Sequence, residues 1–361
     1  MSSPIAVLDS AERRLNELGY KQELRRTMTM TKVMGIAFST VTLFTGIIPL
    51  YGFSLSFVGP IGVIWGWVVV CFFTWFIALA LAEICSSFPT TGSLYFWAAH
   101  LAGPRWGPFA SWCCAWLELV GMIAGVASQA YAGSQVLQNI ILLATGTHKN
   151  GGYLAPPWLF LIMYITLAVI WAFLNTFTLD LVSYFGIASM WWQVIGGMLL
   201  VFYLPFVAPK TQSVSFVFTH FEEFPNFGKV PSKAYGFILS FLVAQYALFG
   251  YDAAAHLTEE TKGAETTGPR AILCSLGMIS ILGGAVVLAL TFSIQDPQYL
   301  YDPNNETAGE FVPAQILFDA FYGRYHSVTG AVMMLIIIMG SFFFGGLVAV
   351  TSAARMVSRK S

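Results

Sequence analysis

The stretch YALFGYDAAAHLTEETKG, residues 246–263, follows an apolar run at 235–243 and decides how the chain is read. The run suits a helix crossing a membrane, yet Gly250, Tyr251 and Asp252 fall where that helix would still be in lipid. Irregular backbone at membrane depth is tolerated only where it is buried in protein or lines a cavity. The stretch therefore predicts a helix broken beside a polar cavity, then a polar-faced segment leading out of the membrane. Asp252, His256 and Glu260 recur at i, i+4 and i+8, on one face of an α-helix. His256 and Glu260 are expected at the wet inner interface. Asp252 lies deep, and an intramembrane acid is a functional candidate by default, here for sensing protons.

Composition supports a membrane setting. Of the residues, 57% are hydrophobic and 10% charged, where a soluble domain carries about a quarter charged. Residues 33–82 hold no charge at all. The net charge of −1 says nothing about nucleic acid, but no basic stripe with interleaved aromatics appears, so nucleic acid is not an expected partner. Cys71, Cys85, Cys113, Cys114 and Cys274 lie in or beside apolar runs, reading as small buried residues rather than a disulfide framework or zinc site. The sequence holds no phosphate-binding loop, HExxH pair or GxSxG elbow, so neither an enzyme, an ATP-driven pump, a cofactor nor a metal is expected.

A span needs about 20 apolar residues. Eight stretches qualify: 34–53, 59–83, 107–131, 157–177, 183–207, 235–257, 270–294 and 328–350, the third able to continue to 143. With the amino terminus inside, 12 Lys and Arg fall on the cytosolic side and 5 on the other, which is the orientation favoured by the positive-inside rule. The chain then divides into a cytosolic tail (1–33) with a short helix at 10–26, five spans (34–207), an extracytosolic loop (208–234), three further spans (235–354) and a cytosolic end (355–361). The sequon at Asn305-Glu306-Thr307 falls in an outside loop and makes Asn305 a glycosylation candidate.

Span one is interrupted too: FSTVTLFTGIIPLYG, residues 38–52, crowds Ser39, Thr40, Thr42, Thr45, Gly46 and Pro49 into its middle. Broken helices present free N–H groups at one end and free C=O groups at the other, the complement of a zwitterion. Spans one and six are five helices apart and run oppositely, the relation of an inverted repeat. Gly121-x-x-x-Gly125 and Gly62-x-x-x-Gly66 read as close-packing motifs. Glu118, an acid within span three, is a second candidate for the central site.

AEICSSFPTTGSLYFWAAHLAGPRWG (82–107), FGYDAAAHLTEETKGAETTGPRAI (249–272) and RLNELGYKQELRR (14–26) together resemble the amino acid–polyamine–organocation superfamily of permeases, and within it the plant bidirectional amino-acid transporter branch related to GABA permeases. The resemblance implies an all-α integral membrane protein of five-plus-five inverted-repeat fold. It places the substrate carboxylate at Thr45-Gly46-Ile47 and the amine at carbonyls from Tyr246 to Phe249, beside Gly250. Tyr246 would be a gating aromatic, and Asp252 matches an acid of proton-responsive relatives. It implies a secondary transporter of amino acids or analogues such as GABA, in the plasma membrane or an organellar one. Relatives continue for several more helices, whereas about eight are present here. The alternative is a truncated, non-transporting relative that associates with a full-length permease.

Overall fold

The computed structural model describes residues 26, 28–41, 43–88, 93–177, 179–224 and 232–358. The expected helix at 10–26 (but for Arg26), Thr42, and the last three residues of the expected cytosolic end lie outside these residues. The described chain is helical almost throughout, as a bilayer demands, because only a helix satisfies its own backbone polar groups without water.

Span one consists of α1 (Met30–Val41) and α2 (Leu43–Val58). Span two is α3 (Pro60–Ser87). The long α4 (Ser93–Thr145) bends at Gly103, with φ 74° and ψ 177°, into an approach helix and span three. Spans four and five are α5 (Pro157–Leu174) and α6 (Leu179–Val207), and a short α7 (Val214–Thr219) follows. Span six is built in pieces: α8 (Lys233–Leu239), α9 (Leu242–Ala247) and a 3-10 segment, Tyr251–Glu260. Span seven is α10 (Ala264–Phe292), and span eight is α12 (Thr329–Ser358), preceded by α11 (Val312–Tyr325) in the connecting loop. Among the described residues, eight helices are long and apolar enough to cross a membrane, and the third runs past 143, as expected from the sequence.

The core lies where spans one, five, six, seven and eight meet, around the fully buried Phe38, Phe44, Ile47, Tyr51 and Phe342. The outer faces of α3, α4 and α5 expose Phe72, Phe73, Trp112, Leu117 and Trp158, surface suited to hydrocarbon rather than water. Polar bonds lock the core: the Tyr51 hydroxyl lies 2.8 Å from Thr291 Oγ1, and Tyr301 donates to the carbonyl of Gly52 at 2.7 Å. The amino-terminal segment is tied to the end of span six, since Met28 N–H donates to the Glu260 carbonyl and Lys262 N–H to that of Met28.

The two glycine pairs behave differently. A Cβ on Gly62 would come within 2.5 Å of Ser240 Oγ, and one on Gly66 within 2.8 Å of the Phe241 ring, so this pair seats α3 against span six. The expectation for Gly121 and Gly125 is corrected. Nothing lies within 4 Å of a Cβ at Gly121, and only the Phe249 ring, at 3.7 Å, approaches one at Gly125. That pair leaves space instead of closing it.

The loop between spans seven and eight corrects the sequon. Asn305 is fully buried. Its Nδ2 donates to the carbonyls of Tyr299 and Leu300, and its Oδ1 accepts from Thr307 and Gly309. The motif serves as the hydrogen-bonded centre of a turn, with the amide nitrogen withheld from any enzyme that would glycosylate the folded loop. The same loop joins Lys149 to Glu306 at 3.2 Å, and Gln315 Nε2 donates to both Glu306 (2.9 Å) and Asp319 (2.8 Å). Burial, with Glu306 and Asp296 nearby, pushes the Asp319 carboxyl up to about 7.

Candidate functional site

Span six breaks at the predicted place. After α9, Gly250 takes a left-handed conformation (φ 89°, ψ 6°), accessible to glycine at little cost, and the chain continues as a 3-10 turn. Two packing facts hold it there. A Cβ on Gly250 would lie 2.9 Å from Thr40 Cγ2 and 3.0 Å from the Thr40 carbonyl oxygen, so the break sits directly on span one. About two helical turns earlier, Val243 N–H donates to Ser54 Oγ at 3.1 Å, pinning α9 to α2.

The interruption expected in span one is not present at Thr45-Gly46-Ile47. Thr45, Gly46 and Ile47 are helical and fully buried within α2. Gly46 is small because span six crosses it: a Cβ there would fall 2.5 Å from Ala247 Cα. Leu43 N–H donates to Oε1 of Gln193 on α6 at 2.9 Å. Gln193 is fixed in turn by Nε2 donating to Ser189 Oγ at 3.1 Å.

Beside the break in span six is a small cavity lined by Thr40, Gly125, Gln129, Tyr246, Gly250 and Asp252, among others. Its free volume is about 20 Å³, room for about one water, so admitting an amino acid requires the lining to part. Tyr246, expected to gate, has its hydroxyl hydrogen-bonded to Ser128 Oγ on α4. Phe249 is 45% exposed and sits against Gly125. Gln129 Oε1 and Thr45 Oγ1 are buried without a hydrogen-bond partner, an expensive arrangement unless a ligand or water completes it. Both lie near Gly345 of α12, whose Cβ would be 3.6 Å from Gln129 Oε1 and 3.7 Å from Thr45 Cγ2. Gln129 and Gln193 were missed by the sequence reading. Gln129 carried a signal, since Glu118, Met122, Gly125 and Gln129 fall on one face of α4.

Below the cavity, Glu118, Asp252 and His256 converge. His256 Nε2 lies 2.8 Å from Glu118 Oε1 and 3.7 Å from Asp252 Oδ2. The side chains of His256 and Glu118 are 9% and 8% exposed, so His256 is not at the wet interface as expected. The shared face expected for Asp252, His256 and Glu260 is also lost. At three residues per turn, positions i, i+4 and i+8 advance by about 120° each. Glu260 is carried away toward Met28, while Glu118 of α4 takes its place beside His256. The donor atoms of Glu118, Asp252 and His256 lie within 4.8 Å of one another, close enough to share one cation.

A family model described as amino acid permease matches residues 28–359. The chain is 41% identical over 348 residues to the "Amino-acid permease BAT1 homolog" of Oryza sativa subsp. japonica, covering 96% of this chain and 66% of that protein. It is 38% identical over 353 residues to "Amino-acid permease BAT1" of Arabidopsis thaliana, covering 98% and 68%. The chain spans about two thirds of the length of these curated relatives. Among solved structures it is similar to Mhp1, a nucleobase-cation-symport-1 family transporter in a closed conformation with bromovinylhydantoin bound. The TM-score is 0.56 at 16% identity, over 92% of this chain and 66% of that one. That likeness agrees with the inverted-repeat transporter fold expected for spans one to eight. The chain is a multi-pass integral membrane protein, and it belongs to the amino acid permease family.

Proposed function

We propose that the protein is a secondary transporter that moves amino acids, or analogues such as GABA, across a membrane by alternating access. The observation that carries this reading is the contact of the broken span six with span one, with Gly250 on Thr40 and Gly46 on Ala247. This brings the carbonyl end of α9 to one small cavity beside Thr40. A substrate carboxylate would meet span one around Thr45, Gly46 and Ile47. Its ammonium would meet the carbonyls from Tyr246 to Phe249, with Asp252 and Gln129 completing the polar lining. Tyr246, released from Ser128, would move with the closing of the site. The amino terminus would face the cytosol, in the plasma membrane or an organellar one.

The test is uptake of labelled amino acids and GABA into proteoliposomes holding this chain alone. Saturable uptake that Gly250→Leu abolishes, with membrane insertion unchanged, supports the reading, and normal uptake by Gly250→Leu refutes the role of the break. Folded, inserted protein that neither takes up nor binds any of these compounds, but co-purifies with a longer permease, would favour an associating role instead.

A further inference from the structure

We infer that Glu118, Asp252 and His256 form the binding site for one divalent transition-metal ion of the zinc class. The site goes beyond the transport reading and does not depend on it, since a metal can bind this chain whether or not the chain moves a substrate.

The donors come from two elements, Glu118 from α4, and Asp252 and His256 from the 3-10 continuation of the broken span six. Their ligand atoms all lie within 4.8 Å of one another. Two zinc ligands, each about 2.0–2.1 Å from the metal and a tetrahedral angle apart, stand about 3.3 Å from each other. His256 Nε2 is 2.8 Å from Glu118 Oε1 and 3.7 Å from Asp252 Oδ2, one on either side of that value. Side-chain movements of about half an ångström would complete the geometry.

The three groups are incomplete as they stand. The side chains of Glu118 and His256 are more than nine-tenths buried. Both Glu118 oxygens and His256 Nε2 lack an aligned hydrogen bond, and orphaned buried groups are costly unless something completes them. A hydrogen bond between His256 and Glu118 would satisfy one carboxylate oxygen and leave the other orphaned. A metal ion serves Nε2 and both oxygens at once.

Charge and ligand type select the ion. Among the described residues, His256 is the basic group that forms ion pairs with Glu118 and Asp252, and no lysine or arginine does. As metal ligands, both carboxylates are ionised and the imidazole is neutral, so a divalent ion brings the sum to zero in a setting where net charge is costly. An imidazole nitrogen among carboxylate oxygens suits zinc or cobalt, whereas calcium and magnesium take six or more oxygen ligands. Asp252 also lines the small cavity beside the break, which leaves the fourth position to water. An ion held there joins α4 to the segment after the break and fixes the two to each other.

The test is zinc binding to the purified chain in lipid nanodiscs, stripped of metal with a chelator and titrated with Zn²⁺ at neutral pH. The expected result is one zinc per chain and an unfolding midpoint that rises with zinc concentration, because the folded chain alone holds the site. Glu118→Gln and His256→Gln should each weaken binding by at least about tenfold, while His220→Gln, in the separate His220–Glu222 pair, leaves it unchanged. Calcium and magnesium should not displace the zinc. No zinc retained, binding untouched by Glu118→Gln, or binding removed by His220→Gln overturns the inference. Should the Glu118 and His256 variants fail to fold, X-ray absorption of the zinc-loaded wild type decides. One imidazole with oxygen ligands at about 2.0–2.2 Å supports the site, and a sulfur ligand at about 2.3 Å or the absence of imidazole refutes it. Failure of amino-acid uptake would remove the transport reading and leave this one standing.

Discussion

Replacing Gly250 by alanine separates the packing role of the break from its substrate role. The residue stands at φ 89°, where a Cβ costs roughly 1–2 kcal/mol in backbone strain. The added carbon would also lie 2.9 Å from Thr40 Cγ2 and 3.0 Å from the Thr40 carbonyl oxygen. The threonine methyl can turn aside, but the carbonyl belongs to span one and cannot move without it, adding about 1–2 kcal/mol of overpacking. A total of roughly 2–4 kcal/mol should lower the thermal unfolding midpoint in nanodiscs by about 5–10 °C, taking a few degrees per kcal/mol for a chain of this size. Gly121→Ala is the matched control, since nothing surrounds that position within 4 Å. It should be neutral or slightly stabilising, because alanine favours the helix by about 1 kcal/mol over glycine. If Gly250→Ala unfolds no earlier than Gly121→Ala, the break is not held by its contact with Thr40, and the account of how the two spans meet is wrong.

Gly46→Ala should cost about 1–3 kcal/mol, because its Cβ would meet the Ala247 backbone at 2.5 Å; unchanged unfolding would mean that spans one and six cross elsewhere. Gln193→Leu leaves the Leu43 N–H without its side-chain acceptor, a loss of about 1–3 kcal/mol, read as faster exchange of that amide with deuterium. Expressed in a glycosylating cell, the chain should keep its mass on treatment with an N-glycosidase, since Asn305 is fully buried; a mass shift would contradict this. The Asp319 carboxyl, raised to about 7 by burial, keeps its proton in the fold where the unfolded chain has lost it. Stability should therefore fall as pH rises from about 4 to about 7 and then level off, by at most about 4 kcal/mol. Asp319→Asn should flatten that part of the profile, and parallel profiles for wild type and variant would refute the assignment.

The spans were legible because hydrocarbon imposes length and apolarity on every crossing, and both are written locally. Gly250 was legible for a similar reason: glycine and an acid inside an apolar run have few structural uses. Span one misled because Gly46 has the composition of a break but the purpose of a crossing point, set by Ala247, which lies two hundred residues away. The Leu43 N–H bonds Gln193, another distant partner that no local pattern announces. The pairing of Glu118 with His256 was hidden by helix type. The 3-10 winding of 251–260 rotates Glu260 away from Asp252, and nothing in HLTEE distinguishes that winding from an ordinary α-turn. The sequon failed for a related reason, since three residues cannot show whether the loop that carries them turns inward.

The short bridge between Met28 and the residues flanking Thr261 has a practical side. Met28 is thereby joined to the far end of the broken span, so it is a handle on it. Displacement of that span would carry Met28 along, and a fluorophore placed at this position would record the movement without touching the substrate cavity.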